Sequence, residues 1–391
     1  MINKLADVDL KDKTVFLRVD FNVPIDQGRI AETHRIDSAL PTIRLILQRA
    51  SKVVIASHLG RPDGKVVPKY SLAPVSDYLE SALRQAVVMA PDCVGPEVER
   101  IVRDKQPIVL LENLRFHSEE EANDEGFARA LASLSQIYVN DAFGAAHRAH
   151  ASISGMAAFF KIKAAGLLLQ KELDYLSPIL AKPAKPFVTI LGGAKVSDKI
   201  GVIRNLLPKV SALLIGGGMA YTFLKAKGQQ IGRSLVEQDK LNLAADLLKE
   251  AATYGVEIFL PVDHITGDAD KKNPDICDEQ IPSDRMGLDV GPKTAARFAE
   301  EIKIAKIVLW NGPLGLFEIP PYDRGSRLLA QTLADNFPRV TSIVAGGDTV
   351  AAVHAAGVEE KITHLSTGGG ATLEFLEGRP LPGIQALEVT Q

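Results

Sequence analysis

Gly192-Gly193-Ala194-Lys195-Val196-Ser197-Asp198-Lys199 follows the apolar run Phe187–Leu191 and opens a helix-like segment, and Ser366-Thr367-Gly368-Gly369-Gly370-Ala371 does the same after Ile362–Leu365. A passage from strand through glycines to helix aims free backbone N–H groups and the positive end of a helix at whatever lies in front. That arrangement suits phosphate. Working outward, apolar β-branched runs alternate with helix-like segments, the pattern of parallel sheets covered on both faces. The pattern predicts strands over Thr14–Val19, Val53–Ser57, Ile108–Leu111 and Ile137–Asn140 in the first half. In the second half it predicts them over Phe187–Leu191, Ala212–Gly216, Glu257–Pro261, Ile307–Trp310, Ser342–Ala345 and Ile362–Leu365. Helices are expected between them, such as Ser38–Arg49, Ala73–Ala86 and Gly126–Ser133. Ala164–Ala181 reads as a helix that Lys182-Pro183-Ala184-Lys185-Pro186 breaks, which places a domain boundary near residues 165–185.

Length agrees with that division, because 391 residues exceed the size at which a single core usually keeps growing. At 46% hydrophobic and 24% charged residues the composition is that of a globular protein. A formal net charge of −3 offers no global attraction for nucleic acid or an acidic membrane, so any anion site must be local. Cys93 and Cys277 are the only cysteines, too few for a disulfide framework or a thiolate metal site, and a reducing cytosol fits. No apolar run approaches the roughly 18 residues that span a bilayer, and the first residues lack the basic and apolar regions of a signal peptide, so an unexported cytoplasmic protein is expected.

Open parallel sheets bind ligands at the carboxyl ends of their strands. In the first half those ends carry Arg18-Val19-Asp20-Phe21-Asn22, Ser57-His58-Leu59-Gly60-Arg61-Pro62, Glu112-Asn113-Leu114-Arg115-Phe116-His117 and Asn140 through His150 with Arg148. Arginine at four successive ends reads as an anion site, since its planar fork grips carboxylate or phosphate. His147 and His150 have an i,i+3 spacing but no third metal ligand in pattern. In the second half the ends carry Gly192–Lys199, Gly216-Gly217-Gly218, Asp263-His264, Asn311-Gly312-Pro313-Leu314-Gly315, Gly346-Gly347-Asp348-Thr349 and Thr367–Ala371. Lys195 at the turn and Lys199 one helical turn later would reach a phosphate chain on one face. Asp348 is either a turn cap or a magnesium ligand beside nucleotide phosphates. Gly216-Gly217-Gly218 admits either a flat base or tight packing. Neither a Walker phosphate loop nor a Gly-x-Gly-x-x-Gly fingerprint occurs, which argues against a dinucleotide-dependent dehydrogenase. Two anion sites of different character favour transfer over a noncatalytic nucleotide- or sugar-phosphate-binding protein.

Taken together, Arg18-Val19-Asp20-Phe21-Asn22-Val23-Pro24, Ser57–Pro62, Leu110–Phe116, Gly192–Lys199, Trp310–Gly315 and Ser366–Ala371 resemble, in order and over essentially the whole chain, the signature stretches of the phosphoglycerate kinase family. The resemblance implies reversible phosphoryl transfer between 1,3-bisphosphoglycerate and ADP, giving 3-phosphoglycerate and ATP, in glycolysis, gluconeogenesis or carbon fixation. It implies an α/β fold of two doubly wound parallel-sheet domains joined by a helix. Residues 1–168 would bind 3-phosphoglycerate, 169–185 would connect, 186–371 would bind nucleotide, and 372–391 would return to the first domain.

Carried onto this sequence, the resemblance implies that Asp20, Phe21, Asn22, Arg35, His58, Leu59, Gly60, Arg61, Arg115 and Arg148 hold the phosphoglycerate. It assigns the nucleotide to Lys199, Gly217, Gly218, Gly287, Asn311, Pro313, Glu318, Gly346, Gly347, Asp348 and Thr349, with Mg²⁺ on Asp348. Arg35, Lys195, Gly369 and Gly370 would act on the moving phosphoryl group. Closure about the connector would bring the substrates in line and exclude water. The implied protein is a monomer acting on small molecules, with no nucleic acid or membrane partner. Ala145 and Ala345 stand where the family commonly has Thr or Ser and a third Gly; neither change removes a charge or donor the chemistry needs.

Overall fold

The computed structural model describes residues 1–389. Its chain divides into two compact units, one comprising Met1–Asp174 and the segment from Pro380, the other Tyr175–Arg379. In the first, β1 (Thr14–Arg18), β2 (Lys52–Ala56), β3 (Val88–Met89), β4 (Ile108–Leu110), β5 (Ile137–Asn140) and β6 (Ile162–Ala165) form a parallel sheet in the order β3-β4-β2-β1-β5-β6. In the second, β7 (Phe187–Leu191), β8 (Ala212–Ile215), β9 (Glu257–Phe259), β10 (Ile307–Asn311), β11 (Thr341–Ala345) and β12 (His364–Leu365) form another, ordered β9-β8-β7-β10-β11-β12.

The central strands are buried on both faces, which is why they read as continuous apolar runs. Alternate residues then go to opposite faces. Val15, Leu17, Val53, Ile55, Ile137 and Val139 pack with Ile36, Leu40, Ile43 and Ile46 of helix α1 (His34–Arg49), whose apolar positions recur at helical spacing. The second unit repeats the scheme, with Val188, Ile190, Val308 and Trp310 against Phe298 and Ile302 of helix Pro292–Ile304 and Leu329 and Leu333 of helix Arg324–Asp335.

Strand order reverses beside β1 in one sheet and beside β7 in the other. The crevices at these switch points lie over the carboxyl ends of β1 and β5, and of β7 and β10. Register fixes the residues there: Arg18 lies level with Ala56 and Asn140, and Asn311 level with Leu191 and Ala345.

Three expectations change. The segment 164–181 is not one helix, because Ala164 and Ala165 end β6, paired with Val139 and Asn140, and the helix there is α2 (Leu167–Ala181). The buried Asp141 sets that start. One of its carboxylate oxygens accepts the N–H groups of Leu168 at 2.8 Å and Leu169 at 3.0 Å. Between strand and helix, the space a Cβ of Gly166 would need is filled by the same carboxylate at 2.2 Å. Burial pushes the Asp141 carboxyl up to about 6 against a Thr42 hydrogen bond and these two amides.

The return to the first unit starts at Pro380 rather than at 372, since helix Gly370–Leu376 packs on helix Ile200–Leu206 and Asn205 donates to the Leu376 carbonyl at 2.7 Å. Beyond Pro380, Gly383 N–H bonds Ala146 O at 2.8 Å and Val389 N–H bonds Met1 O at 2.9 Å. Finally, His264–Gly267, Asp275–Cys277 and Met286–Val290 form an antiparallel ribbon that the alternating strand–helix pattern does not predict. Its strands are short; Asp275–Cys277 is largely exposed, and the buried His264–Gly267 and Met286–Val290 are interrupted by His264, Thr266 and Asp289, so no apolar run marks them. Asp263, expected at a ligand edge, instead caps helix Pro292–Ile304 by accepting the Lys293 and Thr294 amides at 2.8 Å each.

At the end of that ribbon, Asp289 accepts the Gly325 amide at 2.7 Å and fixes the stretch after β10. Burial pushes its carboxyl up to about 7, against hydrogen bonds from the Gly325, Val290 and Arg324 backbone. A carboxyl raised in the folded state contributes stability below its ordinary value near 3.8, and that contribution is lost as pH rises through about 7. Asp289→Asn therefore removes this decline. Urea midpoints measured across that range should show the variant gaining on the wild type with rising pH, by on the order of a few kcal/mol.

Candidate active site

β1 delivers Arg18 to the sheet edge, where its guanidinium is 1% exposed. There Nε donates to Ser152 Oγ at 2.7 Å, Nη2 reaches His58 Nδ1 at 3.2 Å, and Nη1 donates to the Val19 carbonyl. In the turn that follows, Asp20 accepts from Arg35 Nη1 at 2.7 Å and lies 4.0 Å from His58 Nε2. Burial would raise the Asp20 carboxyl, but His58, Arg35, the Asn22 amide and Arg18 outweigh it and hold the carboxyl below its ordinary value. His58 is pushed well below the usual imidazole range, by burial first and by Arg18, Arg115 and Arg148 against the opposing Asp20. It is therefore neutral at pH 7.

The neighbouring strand ends are tied to this turn. Asn22 Oδ1 accepts the Gly60 amide at 2.9 Å, and Arg115 Nη1 donates to the Gly60 carbonyl at 2.7 Å. Asn113 is completely buried and uses its whole amide: Oδ1 accepts from Leu59 N and Arg115 N, while Nδ2 donates to Leu59 O and Tyr70 O, all within 3.1 Å. Beneath lies Glu120, fully buried, accepting the Ser152 hydroxyl at 2.6 Å and amide at 2.9 Å. Burial raises its carboxyl against the pull of Arg18, Ser152 and Arg115. His150 falls to about 3 through burial and the same arginines.

In the second unit the turn after β7 is held by backbone packing. The Gly193 amide bonds the Pro313 carbonyl at 3.0 Å, and a Cβ on Gly192 would stand 2.1 Å from that oxygen. Gly217, at φ +65°, has Gly193 backbone 2.6 Å from its Cβ position, and Gly216 has Leu314 at 2.5 Å. Tight packing therefore accounts for those two glycines. Helix Ile200–Leu206 starts after Lys199, so Lys195 and Lys199 stand on a turn and not one helical turn apart on a shared face. That turn is strapped down by Glu237, which accepts the Ser197 hydroxyl at 2.6 Å and amide at 3.1 Å. Lys199 is buried with its ammonium donating to Asn311 Oδ1, and Asn311 in turn donates to Ala345 O at 2.8 Å. Burial lowers the Lys199 pKa, opposed by Asp198, Asp348 and Glu377. Lys195 is exposed.

The phosphoglycerate kinase family model matches residues 5–379. The chain is 54% identical to a phosphoglycerate kinase from Koribacter versatilis and 55% identical to one from Acidobacterium capsulatum, with 98% of each chain covered in both pairs. A solved phosphoglycerate kinase from Coxiella burnetii superposes with a TM-score of 0.90 at 40% identity over 99% of both chains. The chain belongs to the phosphoglycerate kinase family. It transfers a phosphoryl group between 1,3-bisphosphoglycerate and ADP, giving 3-phosphoglycerate and ATP, a step of glycolysis whose acceptor is a carboxyl group.

Against that activity, Asp20, Asn22, Arg35, Gly60 and Arg115 share one hydrogen-bonded network in the first unit, with His58 4.0 Å from Asp20, the half-buried Arg148 felt electrostatically and Arg61 exposed. Phe21 and Leu59 are buried, with the Phe21 amide donating to Ser57 Oγ and both backbone groups of Leu59 taken by Asn113. In the second unit Asn311, Pro313 and Thr349 build the turn; Thr349 Oγ1 accepts the Gly312 amide at 2.7 Å. Gly287 is required by Tyr221, whose hydroxyl would lie 2.0 Å from its Cβ. Gly346 and Gly218 are half-buried, and Gly347, Asp348 and Glu318 are exposed. Gly369, at φ +53°, precedes helix Gly370–Leu376.

His147 and His150 do not form a metal pair; His147 Nε2 meets Arg148 Nε at 3.3 Å and His150 faces Glu120. Among the described residues, the ligand atoms of Asp92, Cys93 and His117 converge within 4.8 Å, but the Cys93 thiol donates to the Glu112 carbonyl and burial pushes its pKa well up. Sequence reasoning missed Glu120, Ser152 and Glu237 as supports. A run of acidic residues reads as a solvated face, and nothing in the pattern marks one of its members as buried.

Asn113→Ala would leave four backbone groups without their partner. Unsatisfied buried groups carry about 1–3 kcal/mol each. Urea unfolding should show the variant destabilised by at least about 3 kcal/mol, with the apparent Kd for 3-phosphoglycerate raised and nucleotide affinity kept.

Proposed function

We propose that the basic edge of the first unit holds 3-phosphoglycerate and the glycine-lined edge of the second holds the nucleotide. One observation carries the reading: at each switch point a cation is anchored by neutral partners at the sheet edge, Arg18 with His58 and Lys199 with Asn311. Arg35, Arg61, Arg115 and Arg148 then supply the positive field for an anionic substrate, and neutral His58 offers a hydrogen bond to it. Lys199 meets nucleotide phosphates, Glu318 takes a ribose hydroxyl, and the amides at Gly369 and Gly370 face the phosphate chain.

The acceptor carboxylate is ionised at neutral pH, so no general base is needed. Catalysis rests on positioning and on stabilising the equatorial oxygens of the moving group. Lys195 is suited to that, being exposed on a turn that Glu237 and the Gly192 packing hold still. Asp348 fits a magnesium ligand, since it stands exposed in the first turn of helix Gly347–Ala356. One carboxylate with phosphate oxygens is the donor set Mg²⁺ prefers, and the ion would neutralise phosphate charge. Free Cys93 and Cys277 support a reducing, cytoplasmic setting. We place the protein there as a monomer; among the described residues no helix is long and apolar enough to cross a membrane.

Lys195→Ala should lower kcat by on the order of 100-fold with little change in nucleotide affinity, because a charge on the moving group matters most in the transition state. Lys199→Ala should instead raise the KM for ATP. Steady-state kinetics at saturating magnesium separates the two, and interchangeable profiles would overturn the assignment. For the metal, Asp348→Asn should raise the magnesium concentration giving half-maximal rate far more than the KM for 3-phosphoglycerate. An unchanged magnesium dependence would remove Asp348 from the metal site.

A further inference from the structure

Arg18 is the innermost of the first unit's cations, and its guanidinium is turned into the protein. Its hydrogen bonds run inward, to Ser152 Oγ, His58 Nδ1 and the Val19 carbonyl. A guanidinium only donates. The nitrogen it meets on His58 must therefore accept, so Nδ1 carries no proton and a neutral ring carries its proton on Nε2, the atom on the Asp20 side at 4.0 Å. Ser152 is equally constrained. Its oxygen accepts from Arg18 Nε, so its hydroxyl proton goes to Glu120 Oε1 at 2.6 Å, and its amide goes to Glu120 Oε2 at 2.9 Å. Every proton along the line has one place to be.

We propose that Glu120, Ser152 and Arg18 are positioning residues that fix the ring orientation and the Nε2–H tautomer of His58. The carboxylate at the far end supplies the charge that lets a guanidinium be buried, and the serine hydroxyl passes the orientation from Glu120 to Arg18. Bound substrate is met by a histidine already aimed as a hydrogen-bond donor. Only this last step rests on the proposal that His58 contacts 3-phosphoglycerate; the tautomer itself does not. A network whose members are all satisfied rigidifies the group it holds, while removing one member leaves a buried polar atom without a partner.

The test is ¹⁵N NMR of the ligand-free protein labelled at its eight histidines, with the His58 signals assigned by their loss in His58→Gln. Near pH 7 the wild type should show a protonated Nε2 and an unprotonated, hydrogen-bonded Nδ1. A protonated Nδ1, or a rapidly averaging ring, would overturn the proposal on the wild-type protein alone, without reference to whether any variant folds. In Ser152→Ala the two signals should move toward their average. The KM for 3-phosphoglycerate should rise about tenfold, the loss expected for one hydrogen bond to a charged group, with kcat and the KM for ATP held. A variant that folds but keeps both the wild-type signals and the wild-type KM would equally overturn it. Titrating 3-phosphoglycerate into the wild type tests the underlying reading separately: unmoved His58 signals would place the substrate elsewhere while leaving the tautomer assignment intact.

Discussion

Removing a positive charge from water is the constraint around which both sheet edges are built. Arg18 is 1% exposed and Lys199 is 9% exposed, and neither burial is tolerable without dedicated partners. In the first unit the compensation is ionic and indirect, running from Arg18 through Ser152 to the buried Glu120. In the second it is an amide, Asn311, with the carboxylates of Asp198, Asp348 and Glu377 acting at longer range. Burial and partners pull the two lysine protonation states in opposite directions, and burial prevails.

The same constraint explains why His58 and His150 are neutral. His58 and His150 lie among arginines inside the protein, where a further positive charge is disfavoured by both desolvation and repulsion. Positive charge comes from arginines, which keep it under these conditions because the guanidinium is so weakly acidic.

Around the second cation the backbone does the packing. Gly192, Gly193, Gly217 and Gly312 approach one another closely, and a Cβ on Gly312 would stand 2.3 Å from the Gly192 carbonyl oxygen. Positive φ at Gly193, Gly217 and Gly312 turns the three strand ends sharply enough to meet. The result is a lysine-bearing turn held by hydrogen bonds from both sides.

Much of this was legible in the residues. The strands Ile137–Asn140 and Phe187–Leu191 could be read to the residue, because a run buried on both faces must be apolar throughout. Arginines at successive strand ends marked the edge of the first half, and glycines with Lys195 and Lys199 marked that of the second, because anion binding calls for those residue types. Composition and order along the chain thus determined the doubly wound architecture and the family. They did not determine β6, the antiparallel ribbon, or the start of the helix after Lys199, since each depends on a neighbour distant in sequence, such as Val139 beside Ala164. Nor could they reveal that Glu120 lies under Arg18 while Glu119 faces solvent. Adjacent acidic residues look alike in a sequence. Which of them is stripped of water and must be matched by a buried cation is decided only when helices, strands and loops more than a hundred residues apart close around it.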